Sequence, residues 1–147
     1  SRNKEVLGAY DLTLHQYGPE RIIGSIHIEV EDKLTAREIH LLTRKISEQI
    51  FEKFGVILTI GIYATNTEKT EYAEIKQKIE KLIKKYPSIL QMHGYYVDSE
   101  KKLISFDLVF DFKEKETSKL IEEIREKIAE EYPKYTVNIV LDTDFSD

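Results

Sequence analysis

The chain contains two copies of one pattern, and this duplication limits its possible folds more than any other feature. Each copy has the order strand, strand, helix, strand, because apolar residues alternate in some segments and recur every three or four residues in others. Residues 22–30 match residues 104–112 at one fixed offset, and residues 58–62 match residues 137–141. A duplication of this size predicts two related α+β modules.

The first copy is predicted to contain a β-hairpin followed by a helix with clear start and stop signals. Thr35 is the predicted N-cap, Glu38 stands three residues later as in a capping box, and Gly55 provides the C-terminal stop. A polar turn after Tyr17 separates the two strands of the hairpin. The predicted elements are strands 7–17, 21–30 and 56–64, and a helix from Thr35 to Gly55.

The second copy has the same order but is preceded by a helix of its own. Its predicted elements are helices 69–86 and 117–132 and strands 90–97, 103–112 and 135–142. Phe112 and Leu141 are predicted to face the core. We expect a helix upstream of Lys4 to complete the first copy, so that each module reads αββαβ, an antiparallel sheet with helices on one face. The predicted modules are 1–66 and 67–147.

Composition excludes several classes of protein. The net charge is −5 and the basic residues are not clustered, which argues against a nucleic-acid partner. There is no Cys, so disulfides and thiolate metal sites are excluded. No apolar run approaches the roughly 18 residues of a membrane span, and no motif of a nucleophile, metalloprotease or phosphate loop is present. We therefore expect a soluble protein that is not an enzyme.

Three side chains are candidate metal ligands. His27 and Glu29 are two residues apart on the polar face of a strand, and an imidazole beside a carboxylate is a pair that Zn²⁺ can bind. His40 lies on the flank of the helical apolar stripe. The alternatives are an exposed ion pair for His27 and a solvated position for His40. His15 is expected at the surface, and His93 has no ligand partner close in sequence.

The face of the second sheet that the helices leave open is acidic. Asp107, Asp111 and Asp142 fall on it by alternation, and they could hold a hard cation such as Mg²⁺ or Mn²⁺. Exposed carboxylates that repel each other are the commoner explanation. At the fixed offset of the repeat, Val109 takes the place of His27.

Part of the first copy resembles a known family. Gly8-Ala-Tyr-Asp-Leu12, Tyr17-Gly-Pro19, Gly24-Ser-Ile-His-Ile-Glu-Val30 and Arg37-Glu-Ile-His40 together resemble the cytosolic C-terminal domain of cation diffusion facilitator transporters. The resemblance covers about residues 4–66. It implies a ferredoxin-like fold, a homodimer, and a membrane domain of six helices in the same polypeptide. It also implies a place at the cytoplasmic face of the membrane and export of a divalent cation in exchange for protons.

The resemblance also indicates where this chain departs from metal-binding members. Those members often have His where this chain has Tyr10, and another His where it has Gly61 or Tyr63. Two hypotheses stay open: a site of His27, His40 and Glu29 shared across a dimer, or a lost site with dimerisation retained. The sequence requires no cofactor, and Zn²⁺ or another divalent cation is the ion that these side chains would bind. A free-standing ferredoxin-like sensor of a metal or small ligand is the alternative function.

Overall fold

The computed structural model describes residues 3–66 and 70–143, and the chain divides into two compact units, Ser1–Tyr63 and Ala64–Asp147. The predicted helix before Lys4, and the predicted start of the second copy's first helix at Lys69, lie outside the described residues. The elements, in chain order, are β1 Gly8–Tyr17, β2 Arg21–Glu31, α1 Ala36–Phe54, β3 Val56–Thr65, α2 Thr70–Ile83, β4 Ile89–Asp98, β5 Leu103–Phe110, α3 Thr117–Glu131 and β6 Thr136–Thr143.

The strands form two three-stranded sheets, with orders β1-β2-β3 and β4-β5-β6. The α+β class and the ferredoxin-like order of elements are therefore confirmed. One detail of the prediction is wrong, because the second sheet is mixed. β4 and β5 are antiparallel, but β5 and β6 are parallel. The physical reason is the connection: α3 carries the chain back along the sheet, so β6 starts at the same end as β5.

Helix α1 begins and ends as its sequence predicts. The Thr35 hydroxyl accepts a hydrogen bond from the Glu38 backbone N–H at 3.1 Å, and the Glu38 carboxylate accepts one from the Thr35 backbone N–H at 3.3 Å. Gly55 takes a left-handed conformation with φ 67°, and its N–H donates to the carbonyl of Phe51. Both ends of α1 thus satisfy backbone groups that would otherwise lack partners.

The core of the second unit lies between its sheet and its two helices. The even-numbered side chains of β5 face the helices, and Ile104, Phe106 and Leu108 have no exposed surface. Ile124 on α3 and Ile79 on α2 pack into the same cluster and are at most 1 % exposed. The first unit has a smaller core. Its buried side chains are Ile28, Val30 and Leu42, packed against Val6, Leu34, Ile46, Ile60 and Ile62.

Strand β5 is shorter than predicted. It ends at Phe110, and Phe112, which was predicted to face the core, is 81 % exposed. The Asp111 side chain accepts a hydrogen bond from the Lys113 backbone N–H at 2.9 Å, and this local turn bends the chain before the strand can continue. Leu141 near the end of β6 is likewise 46 % exposed, contrary to the prediction.

Helix α2 also stops earlier than its apolar pattern suggests. The predicted end was Tyr86, but the helix ends at Ile83. The N–H groups of Lys85 and Tyr86 donate to carbonyls three residues back, at 3.1 Å and 2.9 Å. The chain therefore tightens into turns ahead of Pro87, whose ring disfavours helical conformation in the residue before it.

Each sheet contains a β-bulge at the same place in its first strand. The register of β1 shifts between Tyr10 and Thr13, and the register of β4 shifts between His93 and Tyr96. One residue in each bulge has a positive φ: Asp11 (60°) on β1 and Gly94 (67°) on β4. These bulges fix how the two copies correspond in space.

The bulges correct the alignment of the two copies. Tyr10 pairs with His27 just before the first bulge, and His93 pairs with Asp107 just before the second. His27 therefore corresponds to Asp107. The predicted match of His27 with Val109 is wrong, because that offset extended β5 to Phe112 and so shifted the strands by two residues.

Candidate functional site

The candidate site of the first unit lies on the sheet face opposite α1. The core cluster places Ile28, Val30 and Leu42 together, so α1 covers the even-numbered side chains of β2. His27 and Glu29 are odd-numbered and project to the other face. The predicted pair of side chains on a face without α1 is thus present in the structure.

The β1 bulge places the carboxylate of Asp11 at the centre of a polar cluster. The Tyr63 hydroxyl donates a hydrogen bond to Asp11 Oδ2 at 2.7 Å, and His27 Nδ1 lies 3.2 Å from the same oxygen. The rings of His27 and Tyr63 are stacked, with centroids 4.6 Å apart and planes inclined by 18°. We name these three residues, Asp11, His27 and Tyr63, the β1–β3 cluster.

A glycine on β3 makes room for the histidine ring. A Cβ atom at Gly61 would lie 2.5 Å from His27 Cδ2 and 2.6 Å from His27 Nε2. Real carbon contacts do not reach such distances, so the ring occupies the space that any other residue would fill. Gly61, which departs from the metal-binding pattern, therefore has a packing role beneath His27.

Glu29 interacts with Tyr10 and not with His27. It is only 6 % exposed and hydrogen bonds with the hydroxyl of Tyr10. Burial raises the pKa of Tyr10, and the charge of Glu29 and this hydrogen bond raise it further. Gly8 leaves space for the Tyr10 ring, since a Cβ there would lie 2.5 Å from the Tyr10 hydroxyl. Glu29 would have to leave this buried hydrogen bond in order to bind a metal ion.

His40 does not approach the other two predicted ligands. It lies exposed on α1, while His27 and Glu29 project from the opposite face of the sheet. Among the residues that the structure describes, no cluster of three potential ligand side chains includes any of these three. Of these three side chains, His27 is the one with an orienting carboxylate, because Asp11 faces its Nδ1 and leaves Nε2 for coordination.

Sequence reasoning missed Asp11 and Tyr63 as partners of His27. Asp11 is 52 residues from Tyr63 in the chain, and its side chain reaches the same face only because of the bulge. A non-glycine residue with positive φ is uncommon, and Asp is one of the few that tolerates it. No sequence pattern marked this bulge, since Leu12 and Leu14 continue the alternation of the strand.

One comparison with known proteins finds a match, and the match covers the first unit. The family model ZT_dimer, described as the cytoplasmic domain of cation efflux proteins, matches residues 1–62. No curated protein matches the chain. Over its described residues, the chain has no helix that is both long enough and apolar enough to cross a lipid bilayer. The matched family is a transporter-associated domain family and not an enzyme family. Residues 1–62 of this chain are thus similar to the cytoplasmic domain of cation efflux proteins.

Proposed function

We propose that residues 1–66 form the homodimerisation and regulatory module of a divalent-cation efflux transporter. The module would face the cytoplasm and be joined to a membrane domain of the same polypeptide that exchanges the cation for protons. Residues 67–147 would be a second, diverged ferredoxin-like module. The observation that carries the proposal is the family match over residues 1–62. Two features of the first unit support the separate roles of dimerisation and regulation.

Dimerisation is supported by apolar side chains that the first unit leaves in solvent. On β1, Leu12, Leu14 and Tyr17 are 55 %, 53 % and 71 % exposed, and on β2, Ile22 and Ile23 are 36 % and 37 % exposed. Exposed apolar side chains along both strands of a hairpin are costly in water and are typical of an association surface. In a two-fold dimer the same hairpin would serve both partners.

Regulation is supported by the β1–β3 cluster. His27 has one nitrogen held by a carboxylate, as metal-binding histidines usually do, and its side chain is 42 % exposed. One imidazole is an incomplete shell for Zn²⁺, which takes four ligands. Ligation by His27 would therefore draw further ligands from the partner copy or from solvent, so that metal binding and dimerisation would be coupled.

The dimerisation role is tested by sedimentation velocity of the whole chain. We expect a dimer for the wild type and a shift toward monomer for Leu14→Glu, because a buried charge without a partner opposes association. Leu90→Glu is the matched control, since Leu90 is a similarly exposed strand leucine of the second unit, at 52 %. A wild-type monomer at all concentrations, or equal effects of the two substitutions, would reject the role of the hairpin.

The regulatory role is tested by Zn²⁺ calorimetry on chelator-treated protein. We expect His27→Gln to remove one binding event and the Zn²⁺ dependence of dimerisation, while His15→Gln, at an exposed histidine on β1, leaves the number of binding events unchanged. His40→Gln reports whether the helix histidine of a partner takes part. If His27→Gln binds Zn²⁺ as the wild type does, regulation through His27 is wrong, and dimerisation stands as a separate result.

A further inference from the structure

The second unit holds a histidine on the sheet face away from its helices. His93 on β4 pairs with Asp107 on β5, and odd-numbered residues of β5 point away from the core that Phe106 and Leu108 form. The bulge at Gly94 then returns the next residues to the core side, so that Tyr95 is 1 % exposed. The bulge thus lets a polar ring face one side of the strand just before an aromatic ring faces the other.

Two carboxylates flank this ring. His93 Nε2 lies 3.3 Å from Asp142 Oδ2, and His93 Nδ1 lies 3.7 Å from Asp107 Oδ2. Asp142 on β6 pairs with Val109 on β5. Val109 is two residues from Asp107 along the same strand, so the side chains of Asp107 and Asp142 lie on the same face of the sheet. The histidine side chain is fully buried, while the aspartates are 17 % and 24 % exposed.

These distances fit a metal site with one ligand pair and one orienting group. Two ligands of a tetrahedral Zn²⁺ with bonds of about 2.0–2.1 Å are separated by about 3.3–3.4 Å, which is the separation of His93 Nε2 and Asp142 Oδ2. Metal-binding histidines usually present their second nitrogen to a carboxylate, and Asp107 faces this nitrogen of His93 from 3.7 Å. Solvent can reach Asp142, so water can supply the remaining ligands.

We propose that His93 and Asp142 bind a transition-metal dication, with Asp107 orienting the imidazole. This site lies in the second unit, outside the residues that the family model matches, and it goes beyond the proposed dimerisation and regulatory function. Charge supports a cation here, because the carboxylates of Asp107 and Asp142 lie on either side of the ring with little exposure, and a bound dication would offset their negative charge. The ligand set favours Zn²⁺, Co²⁺ or Ni²⁺, since an imidazole nitrogen suits these ions and Mg²⁺ prefers oxygen ligands throughout.

The test is calorimetric titration of the chelator-treated whole chain with Zn²⁺, made in the His27→Gln background so that the first unit does not contribute. We expect one binding event that Asp142→Asn abolishes and that an equal concentration of Mg²⁺ does not displace. Glu126→Gln is the matched control, because it removes the same charge from an exposed position of α3, on the other side of the sheet. Asp107→Asn should weaken binding by about 10–100-fold and keep the stoichiometry.

His93→Gln should also abolish binding, but its side chain is buried, so Asp142→Asn at a partly exposed position is the decisive variant. Thermal melts in chelator check that Asp142→Asn keeps the fold. The proposal is overturned if the His27→Gln protein binds no Zn²⁺, or if Asp142→Asn and Glu126→Gln bind it equally. Either result would leave the three side chains as an ion-paired triad that contributes only to the fold.

Discussion

Asp11 has a strained backbone conformation in the β1 bulge. Substitutions at this position test how much this strain and the Asp11 carboxylate each contribute to stability. Its φ is 60°, in the left-handed region that glycine adopts without cost. Gly94 takes the corresponding place in the second unit with φ 67°. We expect that Asp11→Ala destabilises the protein more than Asp11→Gly, although both remove the same carboxylate.

The magnitude follows from two terms. An alanine forced into the left-handed region costs about 1–2 kcal/mol, and a glycine costs about 0.4–1 kcal/mol through the greater freedom of the unfolded chain. The glycine variant should therefore be the more stable of the two by about 1 kcal/mol. Both should be less stable than the wild type, because the Tyr63 hydroxyl loses its acceptor at 2.7 Å, a loss of about 1 kcal/mol.

The assay is urea denaturation followed by the amide NMR resonances of β1 and β2. The chain has no Trp, and its tyrosines lie in both units, so bulk fluorescence would not separate the first unit from the second. Gly94→Ala serves as a positive control and should lower the stability of the second unit through the same backbone strain. Equal stabilities of Asp11→Ala and Asp11→Gly, or a more stable alanine variant, would refute the argument from φ.

Three further outcomes follow from single contacts. Gly61→Ala should push the His27 ring off its stacked position, and unchanged ring-current shifts of His27 in a ¹H–¹³C spectrum would contradict this. Tyr95→Phe removes a buried hydroxyl that donates to the Tyr72 carbonyl at 2.8 Å and should cost the second unit about 1 kcal/mol in chemical denaturation. Burial raises the pKa of Tyr95, so the native state keeps a proton that the unfolded chain loses near pH 10. The free energy of unfolding of the wild type should therefore fall as pH rises above about 10. A plot of this free energy against pH that is as steep for Tyr95→Phe as for the wild type would count against the prediction. Ile124→Ala leaves a cavity at a fully buried site and should cost about 2–5 kcal/mol by the same assay, whereas a loss below 1 kcal/mol would mean that the site collapses around the gap.

The elements of the fold were predictable from the sequence because their signals are local. The capping residues Thr35 and Glu38 act within one turn of helix, and Gly55 needs only its own backbone freedom to end it. Alternation along β5 marked its buried face for the same reason. The predicted ends failed where a short-range hydrogen bond competed with the apolar pattern, as at Asp111, whose side chain turned the chain away before Phe112.

The candidate sites were only partly predictable. The sequence placed His27 and Glu29 on one face, since a period of two requires it. It did not show that Glu29 is bound to Tyr10, or that His40 lies on the other side of the sheet, because these depend on which face the helix covers.

By itself the sequence determined the number, type and order of the elements and their repetition, because propensity, capping and periodicity act over a few neighbouring residues. Only the tertiary structure decided which side chains meet. Asp11 reaches Tyr63 from 52 residues away, and His93 reaches Asp142 across two strand pairings. Both meetings depend on a one-residue bulge, and since a shift of one residue moves a side chain to the other face, no local pattern could fix them.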